Sequence, residues 1–396
     1  MRENWEKLQK LRFLSLYKFR DNIYIEALAC TNMGVKYTNQ DFFDQTEKYF
    51  FPRLESNHIK LYEKLLLKEP LFVRYLCEDY RGESWERLNT EYKMTRYDHF
   101  AKKMALNIAK DLIEQAGINI NELDLVIVNQ TTGNTLPSIS TYVLSELDCS
   151  RNALTLNIGY MGCSAALIAI DTAARLMRSD SNIRYAMVIS LEIPSVMMSA
   201  RPSDTVILGN TLFGDGAAGV ILSKRRSKKS IYMIEAIKRT TMIAPKSSLN
   251  AIKFCSGEYY YEVNLSRHIP YVASKAMKEN LHAIVPQILS TRDKIKHLCK
   301  ARVNWKENIN HWAIHPGGKR ILEQIQETLE LTDGKMKCSF NVLKQYCNMS
   351  SPSVIFVLKE LLKNKQKQND RTLAVTFGSG FKCNSASLIT LGKHNC

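Results

Sequence analysis

The chain reads as an α/β protein, with helices layered on both faces of mostly central sheets and two halves of similar size. Three observations lead there. Short apolar runs such as Leu125 to Val128, Tyr185 to Leu191 and Ala217 to Leu222 lack polar alternation. Strands of that kind are covered on both faces, as in parallel sheets. Stretches with apolar residues at helical spacing separate these runs. The same rhythm then restarts after the basic segment Lys224, Arg225, Arg226, Lys228 and Lys229, dividing the chain into 1–228 and 229–396. No exact repeat accompanies it, so an internal duplication is read from the rhythm alone.

In chain order, Ile23 to Ala29 is expected as a first strand. Phe42 to Lys68 reads as one charged helix, with Pro70 as its stop. From His99 to Ala116, Phe100, Met104, Ile108, Leu112 and Ala116 recur at helical spacing, and Gly117 ends the run. After the strand at 125–128 comes a loop rich in turn formers, Thr131 to Pro137, and a helix through Tyr142 to Leu147. Ala153 to Ile158 reads as another buried strand. Ala165, Ala166, Ile168, Ala169, Ala173, Leu176 and Met177 then form a helical stripe. The second half offers a strand at Ile231 to Ile237 and a helix at Tyr271 to Ile284, with Pro286 close behind. A short strand from His311 to His315 follows, then helices over Arg320 to Leu331 and Ser351 to Lys363. Closing strands lie at Leu373 to Phe377 and Leu388 to Leu391.

Composition narrows the function classes. The 396 residues are 45% hydrophobic, enough for a large core. The net charge of +16 suits anionic partners: phosphorylated cofactors, acidic carrier proteins or acidic surfaces. No nucleic-acid motif accompanies it, and both basic clusters, 224–229 and Lys359, Lys363, Lys365 and Lys367, read first as solvated surface. Ten scattered cysteines contain no CxxC pair, so neither zinc nor a thioredoxin-type motif is indicated. No leader is read in the charged opening and no stretch reaches the ~20 apolar residues of a membrane span, so a cytoplasmic location with free thiols is expected.

The organising stretch is Asn157-Ile158-Gly159-Tyr160-Met161-Gly162-Cys163-Ser164-Ala165-Ala166. Two glycines sit between strand and helix, and a cysteine opens the helix. A helix N-terminus favours thiolate over thiol, and thiolate is the nucleophile. A small, inert, buried cysteine is the plain alternative. Two further residues have the setting of partners. His315 ends a strand and is followed by Pro316-Gly317-Gly318. Asn348 precedes a helix entered through Met349-Ser350-Ser351. Each has a structural reading too, as a satisfied histidine or a helix cap.

With these residues in view, the chain resembles the thiolase-fold condensing enzymes, and most of all the type III polyketide synthases of the chalcone synthase group. GCSA around Cys163, HPGG from His315 and NMSS from Asn348 match that group's Cys-His-Asn triad. Pro202-Ser203-Asp204-Thr205 and Leu212-Phe213-Gly214-Asp215-Gly216-Ala217-Ala218 match as well, over roughly residues 95–392. The tail Gly378-Ser379-Gly380-Phe381-Lys382-Cys383-Asn384-Ser385-Ala386 departs from the GFGPG of chalcone synthases and is similar to the plant 3-ketoacyl-CoA synthases.

The resemblance implies a thiolase fold in an α/β/α/β/α arrangement and catalysis by Cys163, His315 and Asn348. Thr131, Leu136, Met197, Phe213 and Ser350 would line the substrate cavity or its rim, with Phe213 as gatekeeper and Leu136 reaching a partner's site. The implied reaction is a decarboxylative Claisen condensation of a malonyl thioester with an acyl group held on Cys163. CoA thioesters would be the substrates, with no metal and no redox cofactor. Acyl-CoA, malonyl-CoA and a second copy of the chain are the implied partners, and an acyl-carrier protein is the alternative carrier. Met197 stands where several chalcone-type enzymes have threonine, which favours an aliphatic starter. A single-round 3-oxoacyl synthase is the alternative function. A non-catalytic partner subunit is a third reading, opposed by the presence of all three triad residues.

Overall fold

The computed structural model describes residues 22–392 except 78–89, 134, 150–151, 200–202, 244–245, 258–259, 299–303 and 365. Pro202 and Lys365, named above, and Asn134 of the loop from Thr131 to Pro137 lie outside the described residues. Four strands of the first half form one side of the sheet: β1 (Tyr24–Thr31), β4 (Leu123–Gln130), β6 (Tyr185–Glu192) and β7 (Gly216–Ser223), with β5 (Leu154–Gly159) at its edge. The second half supplies β8 (Tyr232–Thr241), β11 (His311–Ile314), β12 (Arg371–Gly378) and β13 (Lys382–Thr390). Their order is β11-β12-β13-β8-β1-β7-β6-β4-β5. Two small antiparallel pairs stand apart: β2 (Val35–Thr38) with β3 (Val73–Leu76), and the hairpin β9 (Ile252–Gly257) with β10 (Tyr260–Leu265).

The pairing senses repeat. Going from β1, the steps to β7 and to β6 are antiparallel and the step to β4 is parallel. Going from β8, the steps to β13 and to β12 are antiparallel and the step to β11 is parallel. The pairs Tyr24 with Met233 and Ile25 with Tyr232 join the two series. The expected division near 228 falls in the turn between β7 and β8.

Alternation along the strands builds the layers, because successive side chains point to opposite faces. On β4, Leu125 and Ile127 join a cluster with the helix Ala165–Ser179, the helix Ser353–Leu362, and Ala374 and Ala386 of the other half. Val126 and Val128 face the opposite way, onto the helix Thr90–Ala116. In the second half Ala313 turns to the shared central layer, while Trp312 and Ile314 face the helices Ile269–Ile288 and Lys319–Leu329. Two apolar faces per strand explain why these runs carry no polar alternation.

Several expectations need correction. The 42–68 stretch is two helices, Asn39–Tyr49 and Ser56–Leu66, separated by a single turn at Phe51–Arg53 around Pro52. Proline lacks the N–H an interior turn needs but fits a first turn. The helix expected to stop before Pro286 runs through it to Ile288. β5 is not a buried strand. It pairs only with β4, and Leu154, Leu156 and Asn157 are exposed on the sheet edge. The β9–β10 hairpin and the helix Asp333–Tyr346 had no expectation.

Candidate active site

Loops after β4, β5 and β6 leave the sheet at the carboxyl ends of neighbouring parallel strands, the usual place for a ligand crevice in an α/β sheet. They border a cavity with about 710 Å³ of empty space, solvent at its mouth included. Thr131, Cys163, Met197, Phe213 and Ser350 all line it. Most of the remaining lining is apolar, including Val206, Ile252 and Val263.

Cys163 lies in a single tight turn, Gly162–Ser164, one residue ahead of the cap of the helix Ala165–Ser179. The approach is backbone-limited. Gly162 sits at φ +60°, and a Cβ there would stand 3.1 Å from the Ser379 N–H nitrogen. The Gly162 N–H donates to Thr131 Oγ1 at 3.2 Å, tying the turn to the loop after β4. Cys163 is part-exposed, and the exposure faces the cavity.

Asn348 is 2% exposed and fixed on all sides. Its N–H donates to the Leu212 carbonyl at 3.1 Å, and its own carbonyl accepts from Gly214 N–H at 3.1 Å. Its side-chain amide donates to Gly317 O at 3.2 Å, and its Oδ1 accepts from Ser350 N–H at 2.8 Å. This network ties Asn348 to the loop that follows His315. The Asn348 and Ser350 side chains lie beside the Cys163 sulfur, each favouring its ionised form. His315 is likewise 2% exposed, with its N–H donating to Val375 O at 2.8 Å. Neither ring nitrogen has a hydrogen-bond partner among the described residues. A buried imidazole with both nitrogens unmet is costly unless a ligand or reacting group completes it.

The electrostatics correct one expectation. Burial pushes the Cys163 thiol up to about 11, and the nearby Glu192 charge adds to this; the Ser350 and Asn348 side chains offset only part. Burial pushes His315 down to about 3. Desolvation thus works against the thiolate that the helix N-terminus was expected to favour, and against a charged imidazole.

Glu192, at the end of β6, was not anticipated. It is fully buried beside Cys163 and accepts from the N–H groups of Thr131 (3.2 Å) and Thr132 (3.1 Å) and from the hydroxyls of Ser350 (3.3 Å) and Ser351 (3.4 Å). Burial still raises it to about 7. The signal was available: a carboxylate closing an otherwise apolar run has to be functional or fully paired. Ser379, from the divergent tail motif, also lines the cavity. Leu136 does not. It is 97% exposed and stands outside this chain's cavity.

A family model described as FAE1/type III polyketide synthase-like protein matches residues 20–305. The chain belongs to this family. A second model, for the C-terminal domain of chalcone and stilbene synthases, matches residues 262–390. Among curated proteins, 3-ketoacyl-CoA synthase 2 of Arabidopsis thaliana is 30% identical over 295 residues, 69% of this chain and 56% of the relative. 3-ketoacyl-CoA synthase 11 of the same plant is 31% identical over 303 residues, 72% of this chain and 59% of the relative. The chain thus spans a little over half the length of these relatives. Among solved structures, the C-terminal type III polyketide synthase domain of Steely1 from Dictyostelium superposes with a TM-score of 0.81 at 20% identity, covering 94% of this chain and all of that one. Tetrahydroxynaphthalene synthase from Streptomyces coelicolor A3(2) gives 0.78 at 17%, covering 93% and 99%. The architecture of this FAE1/type III polyketide synthase-like chain is therefore the layered thiolase fold.

Proposed function

We propose that the protein is an acyltransferase that condenses a malonyl thioester with an acyl group carried on Cys163, in the manner of a type III polyketide synthase, with an aliphatic starter. One observation carries this reading: a cysteine opens onto a largely apolar cavity, with an asparagine amide at its sulfur and an unpartnered buried imidazole on the loop that asparagine holds. His315, neutral at rest, accepts the Cys163 proton as the sulfur attacks the starter thioester and its thiol leaves. Malonyl thioester then binds with its carbonyl oxygen towards His315 and the Asn348 amide. Loss of carbon dioxide leaves an enolate, and hydrogen bonds aimed at its oxygen stabilise it. The enolate carbon attacks the acyl carbonyl, the Cys163–acyl bond breaks, and a β-keto thioester forms. The apolar walls, Met197 and Phe213 among them, favour an alkyl chain over a polar starter.

A single-round 3-ketoacyl synthase is the second reading, favoured by the tail motif and by the 3-ketoacyl-CoA synthases among the relatives. The substrates in either case are CoA thioesters, with an acyl-carrier protein as the alternative. We also propose a homodimer in which Leu136 reaches the partner's site, supported by its exposure and by the open edge of β5. The discriminating measurement is product mass after incubation with malonyl-CoA and a panel of acyl-CoAs. Products extended by two or more malonyl-derived units are expected. A single two-carbon extension would move the protein to the second reading, and no extension from CoA or carrier-bound acyl groups would overturn both.

A further inference from the structure

We infer that Arg74 is a positioning residue for condensation: its buried guanidinium sets the turn that carries both the cavity wall Phe213 and the enolate-binding Asn348. The inference rests on the function proposed above. Arg74 lies on β3, in a two-stranded pair outside the main sheet, and is 0% exposed. No carboxylate pairs with it among the described residues. Its charge is spent on backbone instead. Nη1 donates to the carbonyls of Asn210 (2.9 Å) and Phe213 (3.3 Å), and Nη2 donates to that of Thr211 (2.7 Å). Those carbonyls end the helix Asp204–Leu212, where a cation meets the negative pole of the helix. Nη2 also donates to Asn39 Oδ1 at 2.7 Å, and the guanidinium stands 4.6 Å from the Phe42 ring centroid.

The same turn is where Asn348 is held. Asn348 N–H binds the carbonyl of Leu212, and Gly214 N–H binds the carbonyl of Asn348. Gly214 leaves no slack, since a Cβ there would meet the Tyr346 carbonyl at 2.7 Å and the Arg74 Cβ at 3.3 Å. β3 grips the following residue as well. Asp215 N–H donates to Tyr75 O at 2.8 Å, and Cys77 N–H donates to Asp215 Oδ2 at 2.6 Å. Asp215 in turn accepts from the N–H of Ser195 at 2.9 Å, in the turn that carries Met197. The strand pair is thus a plate to which the Phe213 wall and the Asn348 backbone are both fastened, and Arg74 is its multiply bonded fastener. Cys163 and His315 hang from other elements, β5 and β11. Loss of the clamp should therefore impair enolate formation far more than acyl loading.

The test is Arg74→Lys in the full chain, measured in two half-reactions: loading of radiolabelled acyl groups from acyl-CoA, and carbon dioxide release from malonyl-CoA. An ammonium cannot reproduce the planar fork across three carbonyls. Decarboxylation is expected to fall about tenfold or more, as for misplacement of a catalytic group on the ångström scale, with loading within about twofold of the parent. A merely structural role would lower both together, in proportion to the folded fraction, and that result, or no change in either, overturns the inference. Should Arg74→Lys fail to fold, Asn39→Ala removes one acceptor of the clamp and should shift the same ratio in the same direction by about threefold; an unchanged ratio there counts against it. A parent protein that neither loads nor decarboxylates overturns the proposed function and this inference with it, whereas a parallel loss in an active parent overturns this inference alone.

Discussion

Glu192 couples the cavity to pH. Its carboxyl is raised from the ordinary 4.5 to about 7 by burial. The unfolded chain therefore releases this proton first as pH rises. The stability that the protonated form contributes is complete below the unfolded value and is lost as pH climbs through about 7. A shift of that size corresponds to about 3 kcal/mol. Glu192→Gln keeps an acceptor for Thr131 and Thr132 but cannot ionise. Its stability relative to the parent should improve by about 3 kcal/mol between pH 4.5 and 8, read from urea midpoints. A constant difference across that range would contradict the assignment. The same residue marks what the sequence concealed. Cys163, His315 and Asn348 were legible because each sits in a short, recognisable setting. Glu192 lies in none, and its importance comes from two segments distant in sequence, 131–132 and 350–351, that both donate to it. The thiol's state was hidden for a related reason: the helix terminus is a local feature, whereas the desolvation that outweighs it belongs to the packed site.

At the scale of elements, the turn before the helix Ala165–Ser179 holds Cys163 by backbone conformation. Gly162→Ala places a Cβ at φ +60° against the Ser379 nitrogen. A loss of about 1–3 kcal/mol is expected, with impaired acyl loading because Cys163 moves with the turn. Gly334→Ala is the control. Its Cβ meets nothing within 4 Å, in the first turn of the helix Asp333–Tyr346, and should be neutral or stabilising by up to about 1 kcal/mol. Equal effects in thermal denaturation would remove the special role of the turn. Strands with two apolar faces and helices with a clear stripe were readable in advance. β5 was misread because its apolar run resembles that of β4, and nothing local distinguishes a strand with one neighbour from a strand with two. Pro286 misled similarly: it forfeits one backbone hydrogen bond, yet the helix runs on to Ile288 because buried Ile284 and Ile288 pack on the core.

Across the whole molecule, two series of strands with the same pairing senses enclose the paired helices that follow Cys163 and Asn348. The rhythm of the sequence anticipated the repeat, although the residues themselves have diverged beyond an exact match. The exposed β5 edge, with Leu154 and Leu156 facing outward, supports the proposed dimer. Leu156→Lys, a charge on a pairing edge, should shift the protein from dimer to monomer in light scattering after size exclusion. A monomeric parent, or a dimer indifferent to the change, would contradict that arrangement. No helix of the described residues is long and apolar enough to cross a membrane. The measurement that bears most directly on the account is the intact mass of the protein after brief exposure to a long-chain acyl-CoA, followed by peptide mapping and a malonyl-CoA chase. The account predicts one acyl adduct per chain on Cys163, absent in Cys163→Ala and discharged as a β-keto product by the chase. An adduct elsewhere, or none with any CoA or carrier-bound thioester, would contradict it.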